Sequence, residues 1–331
     1  MIWLVWRRHR VLIAITVVVL AGLGVWMLLL GHASDAAESS SACRNGSFGC
    51  DTRSGVFSLS DQATAINLLL LFVPCLLGIV FGAPLVAGEL EHYTNRLAWT
   101  QGTSRTKWLI VKWCVTGMIL LVLVAALTVA TQWWTGHAGE LQDLTLSLTG
   151  KGRLQPLYFP ITGLAFSAYT LFAFALGTAL GAMIRKTSWA IVGTVVVYTA
   201  ISVLMVFFVR PSLAPQSFLP IHETASGQGV GYGSNLNSQT SWELGFGYRY
   251  APDEPAAETG LSADAVGRRC QMNYTTAKYL TCLSDHRVQM GTFYQPAARY
   301  WELQWRESAL LVVAAGALFG VTVWSVRRWR A

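Results

Sequence analysis

The stretch GELEHYTNRLAWTQGTSRTKW, residues 88 to 108, gathers Glu89, Glu91, His92, Arg96, Arg105 and Lys107 between two long apolar runs. Side chains of these types carry proton-transfer and metal chemistry, and a membrane-embedded enzyme would need them inside its spans, where they are costly and usually functional. The sequence places them elsewhere. All six histidines (His9, His32, His92, His137, His222 and His286) lie at run ends or in loops, no His/Cys spacing reads as a metal site, and no acid or base sits near the middle of an apolar run. A phosphate-binding loop is missing as well, since TGKGR at 149–153 lacks the leading glycine such a loop requires. The expectation is no catalytic residue, no metal and no cofactor held by this chain.

Cysteines are the other reactive group. Cys43, Cys50, Cys270 and Cys282 fall in polar segments, whereas Cys75 and Cys114 fall in apolar runs and read as small buried hydrophobes. Four cysteines permit three connectivities. The pairing Cys43–Cys50 with Cys270–Cys282 closes the two shortest loops and is the one expected; free thiols are the alternative.

The elements that must position these groups are membrane helices. Of 331 residues, 53% are apolar and only 12% charged, with a mean hydropathy of +0.44, far from a soluble domain. Runs of roughly 20 apolar residues, enough to cross a ~30 Å hydrocarbon core, occur near 11–30, 64–87, 109–131, 157–183, 189–209 and 308–326. The fold class expected is therefore an all-α membrane protein of six transmembrane helices. Lys and Arg concentrate on the cytoplasmic side of membranes, and an inside N-terminus gives the internal segments a net charge of +10 and the outer ones −3. Both termini are then cytoplasmic. The chain's net charge of +7 reflects topology and not nucleic-acid binding. The first run is about 20 residues, longer than a signal-peptide core, and reads as a retained span.

Three regions follow from this layout: 1–209 with helices 1–5, 210–307 as an extracytoplasmic subdomain, and 308–331 with helix 6 and a cytoplasmic tail. The middle region is too long for a connector and should have its own small core. Within it ETASGQGVGYGSNLNSQT reads as flexible. Near its end YQPAARYWELQWRES reads either as an amphipathic interfacial helix or as a plain aromatic belt. Residues 89–104 put Leu90, Tyr93 and Leu97 on one stripe of a helix, with Ser104 as a cap for the third span. A solvated, positively charged loop fits the spacing equally well.

A family resemblance bears on that choice. GAPLVAGELEHYTNRLAWTQGTSRTKWLIVKW resembles the segment joining the second and third spans in permease subunits of type-2 ABC transporters, particularly the actinobacterial exporter permeases. Ala87, Glu89, Glu91, Thr94, Leu97, Ala98, Trp99, Thr100, Gln101, Ser104, Arg105 and Lys112 occupy matching places, while Tyr93 stands where the family usually has Gly. YQPAARYWELQW resembles the same permeases before the last span.

The resemblance implies a permease subunit of an ATP-driven exporter in a bacterial plasma membrane, one half of a translocation pathway. Residues 89–104 become a coupling helix, with Glu89, Glu91, Arg96, Thr100, Gln101 and Arg105 facing a separate ATPase subunit, two copies of which bring the ATP and Mg²⁺. A second permease chain, a homodimer partner, and membrane lipid complete the partners; nucleic acid is not among them. Phe72, Phe81, Phe172 and Tyr198 are candidates for an apolar pathway taking a lipophilic or amphipathic compound such as a drug, antibiotic, peptide or lipid, although core or lipid-facing packing also accounts for aromatics of this kind. The large outer segment could act as a lid. The competing readings are a membrane sensor or structural subunit without transport, and a membrane-embedded enzyme.

Overall fold

The computed structural model describes residues 2–39, 53–91, 104–137, 153–220, 241–251, 262–273 and 276–328. Six of its helices are long and apolar enough to cross a membrane: Arg10–Ala33, Asp61–Glu91, Thr106–Thr135, Gly163–Ile184, Thr187–Ser212 and Ala297–Arg328. Five cover their expected runs and extend past them, whereas the fourth starts at Gly163, six residues after the expected 157, because the chain before it runs through turns and the short 3-10 helix Phe159–Ile161. The last departs most. Its helix starts at Tyr300, so Trp301, Trp305 and Glu307 belong to the sixth membrane helix and not to a separate interfacial one. Glu302 and Arg306 pair at i,i+4, which supports this first, partly polar turn.

We number the helices α1 (Ile2–Ser39), α2 (Arg53–Leu77), α3 (Ala83–Glu91), α4 (Arg105–His137), α5 (Gly163–Ile184), α6 (Thr187–Leu204), α7 (Ala263–Asn273), α8 (Thr276–Asp285) and α9 (Tyr300–Arg328). One π-helical turn, Gly78–Gly82, joins α2 to α3, and another, Met205–Val209, prolongs α6 into a last turn at Arg210–Ser212. The first follows Pro74, which lacks an N–H and cannot continue the i→i−4 ladder.

The chain divides into two compact units. The first holds the six membrane helices, with α5 at its centre. Sixteen of the 22 residues of α5 are buried, and small residues dominate where it meets the π-turn. A Cβ added to Gly177 would stand 2.6 Å from the Gly78 carbonyl oxygen, and one added to Gly181 would stand 2.6 Å from that of Ala83. Gly78 and Gly82 are equally tight from the other side, at 2.7 Å from Ala173 and Phe174 carbonyl oxygens. Glycine is required here because the two backbones touch. In lipid, where burial of apolar side chains gives helices no special attraction for one another, such close contact is a main source of cohesion.

Side-chain contacts fix the alternation of the helices. His32 near the end of α1 meets Trp133 near the end of α4, and Trp26 donates to Gln62 early in the second span. Arg327 at the end of α9 donates to Thr106 at the start of α4, and Ser325 donates to the Ala182 carbonyl near the end of α5. The start of α1 and the end of α9 therefore share one end of the bundle, called proximal below; the opposite end is distal. α5 and α6 are antiparallel neighbours joined by Arg185 and Lys186 alone, with Arg185 in the left-handed conformation (φ 60°) and its N–H bonded to Gly181.

The second unit, Lys151–Gln155 with Pro211–Tyr300, is built on a three-stranded antiparallel sheet. Strands β1 (Ser217–Pro220), β2 (Trp242–Tyr250) and β3 (Val288–Gln295) lie in the order β1-β3-β2. Phe218 and Phe293 stack across β1 and β3, and a bulge between Glu243 and Gly245 uses the positive φ of Gly245 (143°). α7 and α8 close a small core of Val266, Leu283 and Val288 with Tyr248, Tyr250, Tyr279 and Met290. A disulfide, Cys270–Cys282, joins the two helices, as the loop-length reading expects. The companion pairing, Cys43–Cys50, lies outside the described residues, as does the stretch 225–240.

The close contact makes a prediction. Gly177→Val should lower the detergent-solubilised melting temperature or abolish the folded peak in size exclusion, a cost of about 3 kcal/mol at the upper end for overpacking. Gly316→Ala, where an added Cβ meets nothing within 4 Å, should leave both measurements unchanged.

Candidate functional site

Charge inside a membrane helix must be paired or reach water, so the buried ion pairs are the informative features. Among the described residues there is one near each end of the bundle. At the proximal end Lys112 on α4 binds Glu89 on α3, and both are 6% exposed. The Lys112 ammonium also lies over the Trp108 ring, 4.6 Å from its centroid. Glu91, one turn-fraction further along α3, accepts from the Thr187 N–H at 3.1 Å. That N–H is one of the free donors at the start of α6, where a carboxylate also complements the helix dipole. Ser104 caps α4 by accepting from the Lys107 N–H at 3.3 Å. Four elements thus meet here: α3, the starts of α4 and α6, and the end of α9.

At the distal end Arg210 and Glu307 are both fully buried. Arg210 Nε donates to Glu307 Oε2 at 2.7 Å and Nη2 to Oε1 at 2.9 Å, a two-pronged pair of the strong, directional kind. Nη1 donates to the Pro156 carbonyl at 3.1 Å, Tyr169 OH donates to Glu307 Oε1 at 2.7 Å, and the guanidinium carbon stands 4.3 Å from the Phe159 ring centroid. One turn before Glu307, Gln304 accepts from the Ala165 N–H at 2.8 Å and donates to the Phe159 and Thr162 carbonyls at 3.3 and 3.2 Å. The first of these bonds satisfies a backbone N–H left free at the start of α5, and together with the Arg210–Glu307 pair they tie α5, the extension of α6 and α9 together.

A small cavity of about 30 Å³ lies between Thr64, Asn67, Leu68, Leu71, Leu157 and Tyr158. Asn67 donates to Tyr158 OH at 3.0 Å. Burial pushes the Tyr158 phenol up to about 12, against the Asn67 hydrogen bond, so the cavity wall is uncharged at neutral pH.

The sequence-predicted residues are distributed as follows. Glu89 and Glu91 lie on α3, the last stretch of the second span, and their carboxylates bind Lys112 and the start of α6. Arg105 opens α4. Arg96, Thr100 and Gln101 lie outside the described residues. Phe81, Phe172 and Tyr198 are buried in the bundle, with Phe172 and Tyr198 in ring contact at 6.4 Å, while Phe72 is 57% exposed on its surface. Sequence reading missed Arg210, Glu307, Tyr169 and Gln304 and did not foresee that charges at the ends of the apolar runs pair with one another. The available signals were an arginine before Pro211 at the end of an apolar run and a glutamate directly before another.

The family described as ABC-2 membrane transporter related matches residues 11–210, from the first span to the distal arginine. The chain belongs to that family. No curated protein and no solved structure matches it. As an ABC-2-type membrane subunit the chain is a multi-pass component and not itself the catalytic one, and the family as a rule works with an ATPase partner. Glu89, Lys112 and Arg210 lie inside the matched stretch and Glu307 beyond it.

Breaking a buried pair from one side costs more than removing both partners. Arg210→Met and Glu307→Leu should each destabilise the solubilised protein by about 3–5 kcal/mol, and the double variant by clearly less than their sum. A thermal double-mutant cycle measures the coupling; simple additivity would remove the pair's claimed role in holding the distal end.

Proposed function

We propose that this chain is the permease subunit of an ATP-driven exporter of the bacterial plasma membrane, with both termini cytoplasmic and the proximal end facing a separate ATPase subunit. The observation that carries this reading is the set of contacts flanking residues 92–103. The segment between α3 and α4 is bounded on one side by Glu89 and Glu91 and on the other by Arg105 and Lys112; Glu89 binds Lys112 across α3 and α4, and Glu91 accepts from the Thr187 N–H at the start of α6. A push on that segment from a closing ATPase therefore reaches three membrane helices through two polar contacts. Rigid-body movement of packed helices about such contacts is the usual form of alternating access.

On this reading residues 89–104 form the coupling region and Arg96, Thr100, Gln101 and Arg105 meet the ATPase, of which two copies serve two permease chains. The partner supplies ATP and Mg²⁺. The pathway lies between paired permeases and carries a lipophilic or amphipathic compound, with Phe72, on the bundle surface, placed to meet it. The second unit is extracytoplasmic.

Co-expression with the ATPase and reconstitution into vesicles tests the coupling role. Glu91→Gln combined with Arg105→Ala should leave the permease in the membrane and the ATPase active, yet reduce ATP-dependent transport of a fluorescent amphipathic dye roughly tenfold, about 1.4 kcal/mol in the coupling step. Unchanged transport in that double variant removes these residues from coupling.

A further inference from the structure

The second unit brings together three metal-binding side chains that transport does not use. Cys270 on α7, Cys282 on α8 and His286 just beyond α8 place their two sulfurs and a ring nitrogen within 4.8 Å of one another. Cys282 and His286 are four residues apart at the end of a helix, which puts both on one face, and the third side chain comes from the neighbouring helix. In a tetrahedral site with Zn–S near 2.3 Å and Zn–N near 2.0 Å, ligand atoms stand about 3.5–3.8 Å apart, a spacing that side-chain rotation can reach once the disulfide is reduced and its two sulfurs part.

Two further features favour a ligand set over chance proximity. His286 Nδ1 lies 2.8 Å from the Cys282 carbonyl oxygen. With Nδ1–H donating to that carbonyl, the ring is oriented and Nε2 keeps its lone pair, the arrangement found behind metal-bound histidines. Cys270 is 1% exposed among Val266, Leu283 and Val288, whereas Cys282 is half-buried and His286 exposed. The cluster therefore has an apolar back and an open side through which a cation can enter.

We propose that Cys270, Cys282 and His286 form a thiol-gated site for one cation of the zinc class, closed while the disulfide stands and open once it is reduced. A dithiol reductant gives two electrons and two protons to the disulfide and becomes a disulfide itself. The two thiols formed release their protons to solvent as they bind the cation, His286 supplies the third ligand, and water fills the fourth position. The staple between α7 and α8 is then covalent in the oxidised form and metallic in the reduced form, joining the same residues in each.

The full chain in detergent micelles, reduced with a phosphine that is then removed, can be titrated with Co²⁺ followed by Zn²⁺. The expected result is thiolate-to-Co²⁺ charge-transfer absorption saturating at one cation per chain and displaced by Zn²⁺, absent from the oxidised protein and lost in Cys282→Ser. His286→Ala, at an exposed position, should keep the disulfide and the oxidised protein's circular dichroism. After reduction its Zn²⁺ affinity should fall by more than the roughly 10- to 100-fold that loss of an outer-shell partner costs. If reduction alone unfolds the second unit, Zn²⁺ should restore its circular dichroism. Binding by Cys282→Ser equal to that of the reduced wild type, undiminished affinity in His286→Ala, or no binding by the reduced wild type overturns the proposal.

Discussion

The bundle rests on one close approach, the backbone of α5 against the π-turn Gly78–Gly82 and the start of α3. Every Cβ that could be added along this seam, at Gly78, Gly82, Gly177 or Gly181, would stand 2.6–2.7 Å from a backbone oxygen. The seam sets how far the second span can bend back towards α5 and therefore where α3 ends. Because α5 runs through the centre of the unit, its two ends are also where the polar contacts gather: Ala165 and Tyr169 at the distal end, Ala182 and Arg185 at the proximal one.

A low-dielectric surrounding makes each of those contacts selective. A single buried charge costs far more than a neutral group, and a matched pair with its remaining hydrogen bonds satisfied is tolerated. Arg210 shows the full pattern: its guanidinium meets a carboxylate at two points, a backbone carbonyl at a third, and an aromatic face. Glu307 in turn accepts from Tyr169. At the proximal end Glu89 binds Lys112, and Glu91 accepts from the Thr187 N–H at the start of α6.

The second unit faces a different problem. Its core rests on a handful of side chains between a three-stranded sheet and two short helices, and units of this size need an added staple. Cys270–Cys282 supplies it by joining α7 to α8. Gly267 lets α7 approach the sheet, since a Cβ there would stand 2.4 Å from the Tyr248 ring, and Asp264 at the start of α7 accepts from the Tyr248 N–H on the edge strand β2. Helix and strand edge are thereby closed against each other.

Six membrane helices, the large segment between the fifth and sixth, and the Cys270–Cys282 pairing were legible in the sequence because each depends on local quantities: the length of an apolar run, the size of a polar gap, the number of residues in a loop. The Ser104 cap was legible for the same reason, as a hydroxyl three residues before the N–H it accepts from. What the sequence could not give was any relation between residues far apart in the chain. Arg210 and Glu307 are 97 positions apart, and at the edges of apolar runs each looked like an ordinary boundary charge; only the antiparallel packing of α6 and α9 beside α5 makes them one buried pair. Glu89 and Glu91 looked alike in a charged segment, and the turn of α3 sends one to Lys112 and the other to Thr187. The same holds for Cys270, Cys282 and His286: spacing shows the last two on one helix end, and the packing of α7 against α8 adds the third ligand. Periodicity records what a residue's neighbours along the chain require, whereas pairing of charges and ligands depends on distances through space, which folding alone sets.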